Sequence, residues 1–423
     1  MIDFFNLILN LHKEKNFNQA LKEIDNFEKK NFSNSDTLNL KGLTYWFLNE
    51  NEASLNCFNS AIDKLDINLK KNENIYKSVL INRGLINLKL ANYFNAIKDF
   101  TEVIKLDPEY AQSYNNIGLA YQKLGDEIKA LDYFVIANNK KPSFYSAQTN
   151  LINSLTHNQQ SFNKSENNIV KVNEELNQKE FSYNKEYKID ELEIFSIINS
   201  CNQIIDKTLN KIIYNETQIS IKMGESSNCN RHQKIFFEHD IIPKNCFSCF
   251  KILIEPNKVI DLIKLHILFG KLEITNERKC MIETRKNIEG NYKGFIYCET
   301  LEEAYSIHNK LDALIKININ KNVKTSIKRG CSEYVNSYHE YKNLEKLMVY
   351  KKDWKIKEEI FDKKNPYFKE DLNNYKTKSR INLKDILIFR NWIYFAYLKN
   401  DSSYKQVSSS FYESQFIKNL INR

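Results

Sequence analysis

The chain has 423 residues, 42% hydrophobic and 27% charged, with only 9 Gly and 5 Pro, which excludes collagen-like and Gly/Pro-rich disordered classes. The length suits two or three domains. The net charge of +9 is uneven: residues 1–157 hold 18 basic and 18 acidic side chains, leaving 44 against 35 in 158–423. That excess reflects either composition or a basic surface for a polyanion. The opening stretch MIDFFNLILNLHKEKNF is too short and too polar-flanked for a secretory signal. No run approaches ~18 apolar residues, and the richest, Ile386–Leu398, is broken by Arg390 and Asn391. The expectation is a cytoplasmic protein with no membrane contact. Its eight cysteines are then thiols or metal ligands rather than structural disulfides.

The first 157 residues repeat. Tyr114, Ile117, Gly118, Tyr121, Gly125, Ala130, Phe134, Ala137 and Pro142 form one pattern. Leu80, Gly84, Ala96, Phe100 and Pro108 form another, with Gly84 and Gly118 spaced by 34 residues. Leu38, Gly42, Tyr45, Ser54, Phe58 and Ala61 give a third copy, and Asp66–Asn74 reads as an inserted loop after it. Phe4, Leu7, Leu11, Ala20 and Ile24 give a degenerate first copy, with Ile8 at the small-residue position. This set resembles the tetratricopeptide repeat (TPR) family. The resemblance implies an all-α solenoid of helix pairs at about 1–34, 35–72, 77–110 and 111–144, closed by a capping helix at 144–156.

The same resemblance implies a concave groove for a protein or peptide partner, lined by the first helix of each pair. That face would offer Asn39, Leu43, Trp46, Asn82, Leu85, Gln112, Asn115 and Gln122. The family's carboxylate-clamp form needs Lys and Arg there, and this face has mostly Asn and Gln. A solenoid that only docks on its own C-terminal domain is the competing reading.

Residues 157–187 are polar and almost free of periodicity, which reads as a flexible linker. A helix follows at about 188–213, with Ile189, Leu192, Phe195, Ile198, Cys201, Ile205 and Leu209 at helical spacing. Then come a strand at 250–255 ended by Pro256, a helix at 257–270 and strands at 279–285 and 292–299. A second helix at 301–317 and a strand at 322–329 complete the series. The order βαββαβ within 188–335 resembles a ferredoxin-like α+β fold, with expected strand order 4-1-3-2. Residues 336–423 form a helical C-terminal extension, whose apolar helix Leu383–Lys399 is expected to pack on this domain or on a second subunit.

Under that topology cysteines gather at one sheet end. Cys246 and Cys249 (CFSC) open the first strand, Cys298 closes the third, and Cys331 follows the fourth. A CxxC turn presents two thiolates to one ion, and neighbouring strands stand ~4.8 Å apart. The candidate ligands of a zinc ion or an iron–sulfur cluster are therefore Cys246, Cys249 and Cys331, completed by Cys298 or His232. Cys229 and Cys280 are secondary candidates. Buried structural thiols and a catalytic or redox cysteine are the alternatives.

The segment Lys293-Gly-Phe-Ile-Tyr297 also resembles the third strand of an RNA recognition motif. Phe295 and Tyr297 would then stack bases while Lys251, Arg285 and Lys328 meet phosphates. The nine glycines fit neither GxGxxG nor GxxxxGK[ST], and HExxH and GxSxG are absent. No nucleophile, base and orienting group can be assembled from the sequence. His266 sits among apolar neighbours and reads as packed. The reading is a TPR-mediated adaptor carrying a Cys-rich effector domain. The alternatives are an enzyme acting through the cysteines on recruited proteins, and an RNA-binding module.

Overall fold

The computed structural model describes residues 2–31, 33–65, 73–157, 166–181, 190–209, 212–221, 223–224, 229–365, 375–376 and 381–422. The insertion expected at 66–74 falls mostly outside them. The chain forms two compact units, Met1–Ser154 and Leu155–Arg423.

The first unit is built from paired helices: α1 (Ile2–Lys13), α2 (Phe17–Lys30), α3 (Ser35–Phe47), α4 (Asn51–Asp63), α5 (Glu73–Lys89), α6 (Tyr93–Leu106), α7 (Ala111–Lys123), α8 (Glu127–Lys140) and α9 (Tyr145–His157). One contact recurs through it. A Cβ placed on Gly42, Gly84 or Gly118 would lie 2.6, 2.8 or 2.6 Å from the ring of Phe58, Phe100 or Phe134. Each ring is fully buried, so only a hydrogen side chain lets the two helices of a pair close on it. In the first pair Ile8 and Ile24 hold the equivalent places, both at 0% exposure. A larger residue on one helix is matched there by a smaller one on the other. Beneath the rings, Asp99 accepts a two-pronged hydrogen bond from Arg83 (2.6 and 3.1 Å) and another from Asn87 (3.2 Å), tying α5 to α6.

The second unit opens with α10 (Asn168–Leu176) and α11 (Glu191–Thr208). The stretch read as a linker therefore contains a helix. Asn167 caps it, and Ile169, Val170, Val172, Asn173 and Leu176 are buried. Asn173 Oδ1 accepts from the backbone N–H of Leu383, 210 residues away. Next come β1 (Gln218–Ile221), β2 (Met223–Gly224), α12 (Cys229–His239), β3 (Phe250–Glu255), α13 (Val259–Lys271), β4 (Arg278–Ile282), β5 (Tyr292–Cys298), α14 (Leu301–Asn318) and β6 (Lys324–Arg329). The chain ends with α15 (Lys352–Lys364), β7 (Tyr375–Lys376), α16 (Leu383–Leu398) and α17 (Gln415–Asn422).

Five strands form one antiparallel sheet in the order β1-β4-β5-β3-β6, and β2 pairs with β7. β3 to β6 stand in the order expected from the sequence. β1 is an added edge that the sequence reading missed. Helices α13 and α14 cover one face of the sheet, over Ile252, Ile254, Cys280, Ile282 and Ile296, each 1% exposed or less.

Twelve of the sixteen residues of α16 are buried. It belongs to the core of this unit rather than to an extension. A helix buried on nearly all sides must satisfy its polar groups internally. Arg390 donates to Asn202 Oδ1 (2.8 Å) and to Asp206 (2.7 Å). Asn391 donates to the carbonyls of Tyr214 and Glu216 (2.7 and 2.8 Å), and Trp392 to that of Thr217 (2.7 Å). Of the two residues that interrupt the apolar run, Arg390 thus ties α16 to α11, and Asn391, with Trp392, holds the segment leading into β1. Just beyond, Asp401 Oδ2 accepts from the first backbone N–H of α13 (2.7 Å) and from the Tyr292 hydroxyl (2.6 Å). No described helix is long and apolar enough to cross a membrane.

Candidate functional sites

Along the first unit, the expected groove residues divide into two groups. Asn39 and Asn115 are 8% and 4% exposed, and both are engaged. Asn82 Nδ2 donates to Asn39 Oδ1 (2.9 Å), Asn39 Nδ2 to Ser78 Oγ (3.3 Å), and Asn150 Nδ2 to Asn115 Oδ1 (2.8 Å). These amides join the first helices of successive pairs. Leu43, Trp46, Leu85, Gln112 and Gln122 are half-buried. Leu43 and Trp46 lie against the cluster around Phe58, and Leu85 against that around Phe100.

The thiols of the second unit also divide. Cys246 lies in a 3-10 turn (Lys244–Ser248) just before β3 and is 3% exposed. Its Sγ is 3.3 Å from Tyr334 Oη and is hydrogen-bonded to Cys331, which is half-buried. The Tyr341 hydroxyl donates to the Cys246 carbonyl (2.8 Å). Cys331 is held below the ordinary thiol value, chiefly by the hydrogen bond from Cys246, and Cys246 is driven up by the same contact and by burial. Cys249 is pushed up to about 12, chiefly by burial and further by the thiols of Cys331 and Cys229. A Cβ on Gly330 would collide with its sulfur, so that glycine is what lets the two chains close.

The structure therefore brings Cys246 and Cys331 into one cluster, with Cys249 and Cys229 within electrostatic reach. Cys298 lies within electrostatic reach of Cys249 but is buried and pushed up to about 12. Cys280 is fully buried opposite Gly294. His232 stands elsewhere. Burial and the adjacent Arg231 pull it down to about 4, and Glu358 and Asp362 are its acidic neighbours. Among the described residues no three His, Cys, Asp or Glu side chains are grouped as one metal ion requires. The sequence reading missed Tyr334 and Tyr341, which carry no motif and reach the thiols only through the fold. His266 is packed edge-on to Phe389 and Trp392, as its apolar neighbours suggested.

On the sheet face away from α13 and α14, Phe295 and Tyr297 stack with centroids 6.4 Å apart and planes at 28°. Lys251 lies 5.4 Å from the Phe295 centroid, and Lys279 lies 5.4 and 5.3 Å from the two rings. Arg285, expected on this surface, is instead paired with Glu283 (2.7 Å).

A Tetratricopeptide repeat family model matches residues 35–63, and a TPR repeat model matches 84–125. The N-terminal segment is a tetratricopeptide-repeat segment. The glycine–phenylalanine contact falls inside both matched stretches. Similar solved structures include MamA 41-end from Desulfovibrio magneticus RS-1 (16% identity, TM-score 0.32, 36% of this chain and 81% of that one). Others are YrrB (17%, 0.30, 34% and 70%) and pilF of Pseudomonas aeruginosa (18%, 0.32, 36% and 66%). No curated protein matches the chain. The TPR segment supports a role in protein interaction.

Proposed function

We propose that the TPR segment is an adaptor that holds an extended stretch of a protein partner along the first helices of its pairs. One observation carries this. Asn39 and Asn115 spend their amides on neighbouring helices, so that face is pre-ordered and offers Leu43, Trp46, Leu85, Gln112 and Gln122 as the contact set. Ordering before binding lowers the entropic cost of capture. The test is selection of a random peptide library on the full chain. Trp46→Ala and Leu85→Ala should weaken the selected peptides about tenfold or more with the helical signal unchanged. Peptides that bind both variants as tightly as the parent would end the proposal.

For the second unit we read a ferredoxin-like arrangement with an added edge strand, extending from α10 through α17 as the effector body. A second function is favoured by one feature of it. Stacked Phe295 and Tyr297 lie beside Lys251 and Lys279, for which the described residues provide no ion pair, and this suits single-stranded RNA. Fluorescently labelled RNA oligomers should bind at low salt, weaken as salt rises, and release from Phe295→Ala and Tyr297→Ala. Absence of binding at low salt would remove this reading.

A further inference from the structure

Neither reading employs the hydrogen-bonded thiols beside β3, and they have the parts of a reactive pair. We propose that Cys331 and Cys246 form a dithiol site for reversible modification by small organic disulfides, with Cys331 as the attacking sulfur and Cys246 as the resolving one. The geometry distributes the roles. Cys331 is half-buried and can be reached from solvent, whereas Cys246 is 3% exposed and can be reached through Cys331. Tyr334 Oη, 3.3 Å from the Cys246 sulfur, holds the second in place. Cys331 packs against the cluster of Ile235, Cys246, Tyr334 and Tyr341, so neither sulfur must cross the core to meet the other. Glu333 and Lys251 place opposite charges near Cys331, with Glu333 the stronger influence. The thiolate is the nucleophile in such exchange.

The steps balance. The Cys331 thiolate attacks one sulfur of a disulfide RSSR, forming Cys331–S–S–R and releasing RS⁻. Cys246 gives its proton to that thiolate and attacks the Cys331 sulfur. The Cys246–Cys331 bond forms and the second RS⁻ leaves, to be protonated by solvent. Two protein thiols are oxidised, and one RSSR is reduced to two thiols. Cys280 and Cys298 are buried and lie outside the cluster that Cys331 packs against. Cys249 sits behind Gly330 with its thiol raised, and Cys229 is exposed and outside that cluster.

The test uses the reduced full-length chain in glutathione buffers of rising disulfide content. Samples are quenched in acid and alkylated, their peptides mapped by mass spectrometry, and the zinc in the same sample is measured. The expected product is a Cys246–Cys331 linked peptide, two hydrogens lighter than the free thiols and reversed by dithiothreitol. Cys246→Ser should stop at a glutathione adduct on Cys331, and Cys331→Ser should leave Cys246 free. Should either variant fail to fold, the parent map alone decides. Linkage of Cys331 to Cys229 or Cys249, an inert Cys331 under conditions that modify Cys229, or about one zinc per chain shielding the pair would each overturn the proposal.

Discussion

In the TPR unit, a glycine and a phenylalanine make the same contact at 42 and 58, at 84 and 100, and at 118 and 134. In the second unit the deciding contacts occur once each. They include Trp392 on the Thr217 carbonyl, Asp401 on α13 and Tyr292, and Gly330 against Cys249. The first kind of core spreads its specification over equivalent pairs, so one degenerate copy, Ile8 with Ile24, can be accommodated. The second kind concentrates it, and a single lost anchor has no equivalent elsewhere.

The largest expected effect follows from that concentration. Trp392→Ala removes a fully buried ring and one hydrogen bond and should cost about 3–5 kcal/mol. In hydrogen exchange on the full chain, α11, β1 and α16 should lose protection while α5 to α8 keep theirs. Equal loss in the TPR helices would break the distinction between the units. A smaller effect is expected from Gly84→Ala, whose Cβ would stand 2.8 Å from Phe100. Overpacking should cost about 1–3 kcal/mol in a urea titration. Phe100→Leu in the same chain should recover part of that loss, reproducing the size exchange of Ile8 and Ile24. A double variant no more stable than Gly84→Ala alone would show that the ring contact is not what the glycine serves.

The smallest effect is one of pH. His232 is lowered from 6.5 to about 4. As pH falls through 6.5 the unfolded chain therefore binds a proton that the folded one refuses, and stability declines until about pH 4. A series of melting temperatures should show that decline in the second unit, flattened by His232→Asn. His12 in the first unit is lowered for the same reason, but it is half-buried, so its share is smaller. An unchanged profile in His232→Asn would remove His232 as the cause.

The same contrast governs what the sequence discloses. Recurrence at a 34-residue spacing makes Gly84, Gly118 and their rings readable without a structure, and the alternation of strands and helices from 250 to 329 is nearly as plain. β1 is only four residues long, and its pairing with β4 depends on Asn391 and Trp392 far along the chain. α10 hides in a polar stretch because its apolar residues are buried against α11 and α16, partners that the local pattern does not announce. At the groove, the sequence offers Asn39 and Asn115 as contacts for a partner. It does not reveal that a neighbouring helix supplies their partners. At the thiols, spacing alone leaves ligands around one ion, buried structural thiols and a redox cysteine all open. The fold supplies a hydrogen-bonded pair and a tyrosine, and directs His232 toward α15.

The asparagine ties across the TPR pairs also bear on how such an array can change length. Asn82 reaches back to Asn39, and Asn150 to Asn115, so a pair is not a free-standing tile. Excising α3 and α4 would face Asn82 with a first pair that offers it no asparagine in that register. Grafting a pair between α6 and α7 would leave both existing ties intact. The array therefore has seams of unequal tolerance, and a designer or a recombination event extending it would succeed most readily at a seam that neither of these ties crosses.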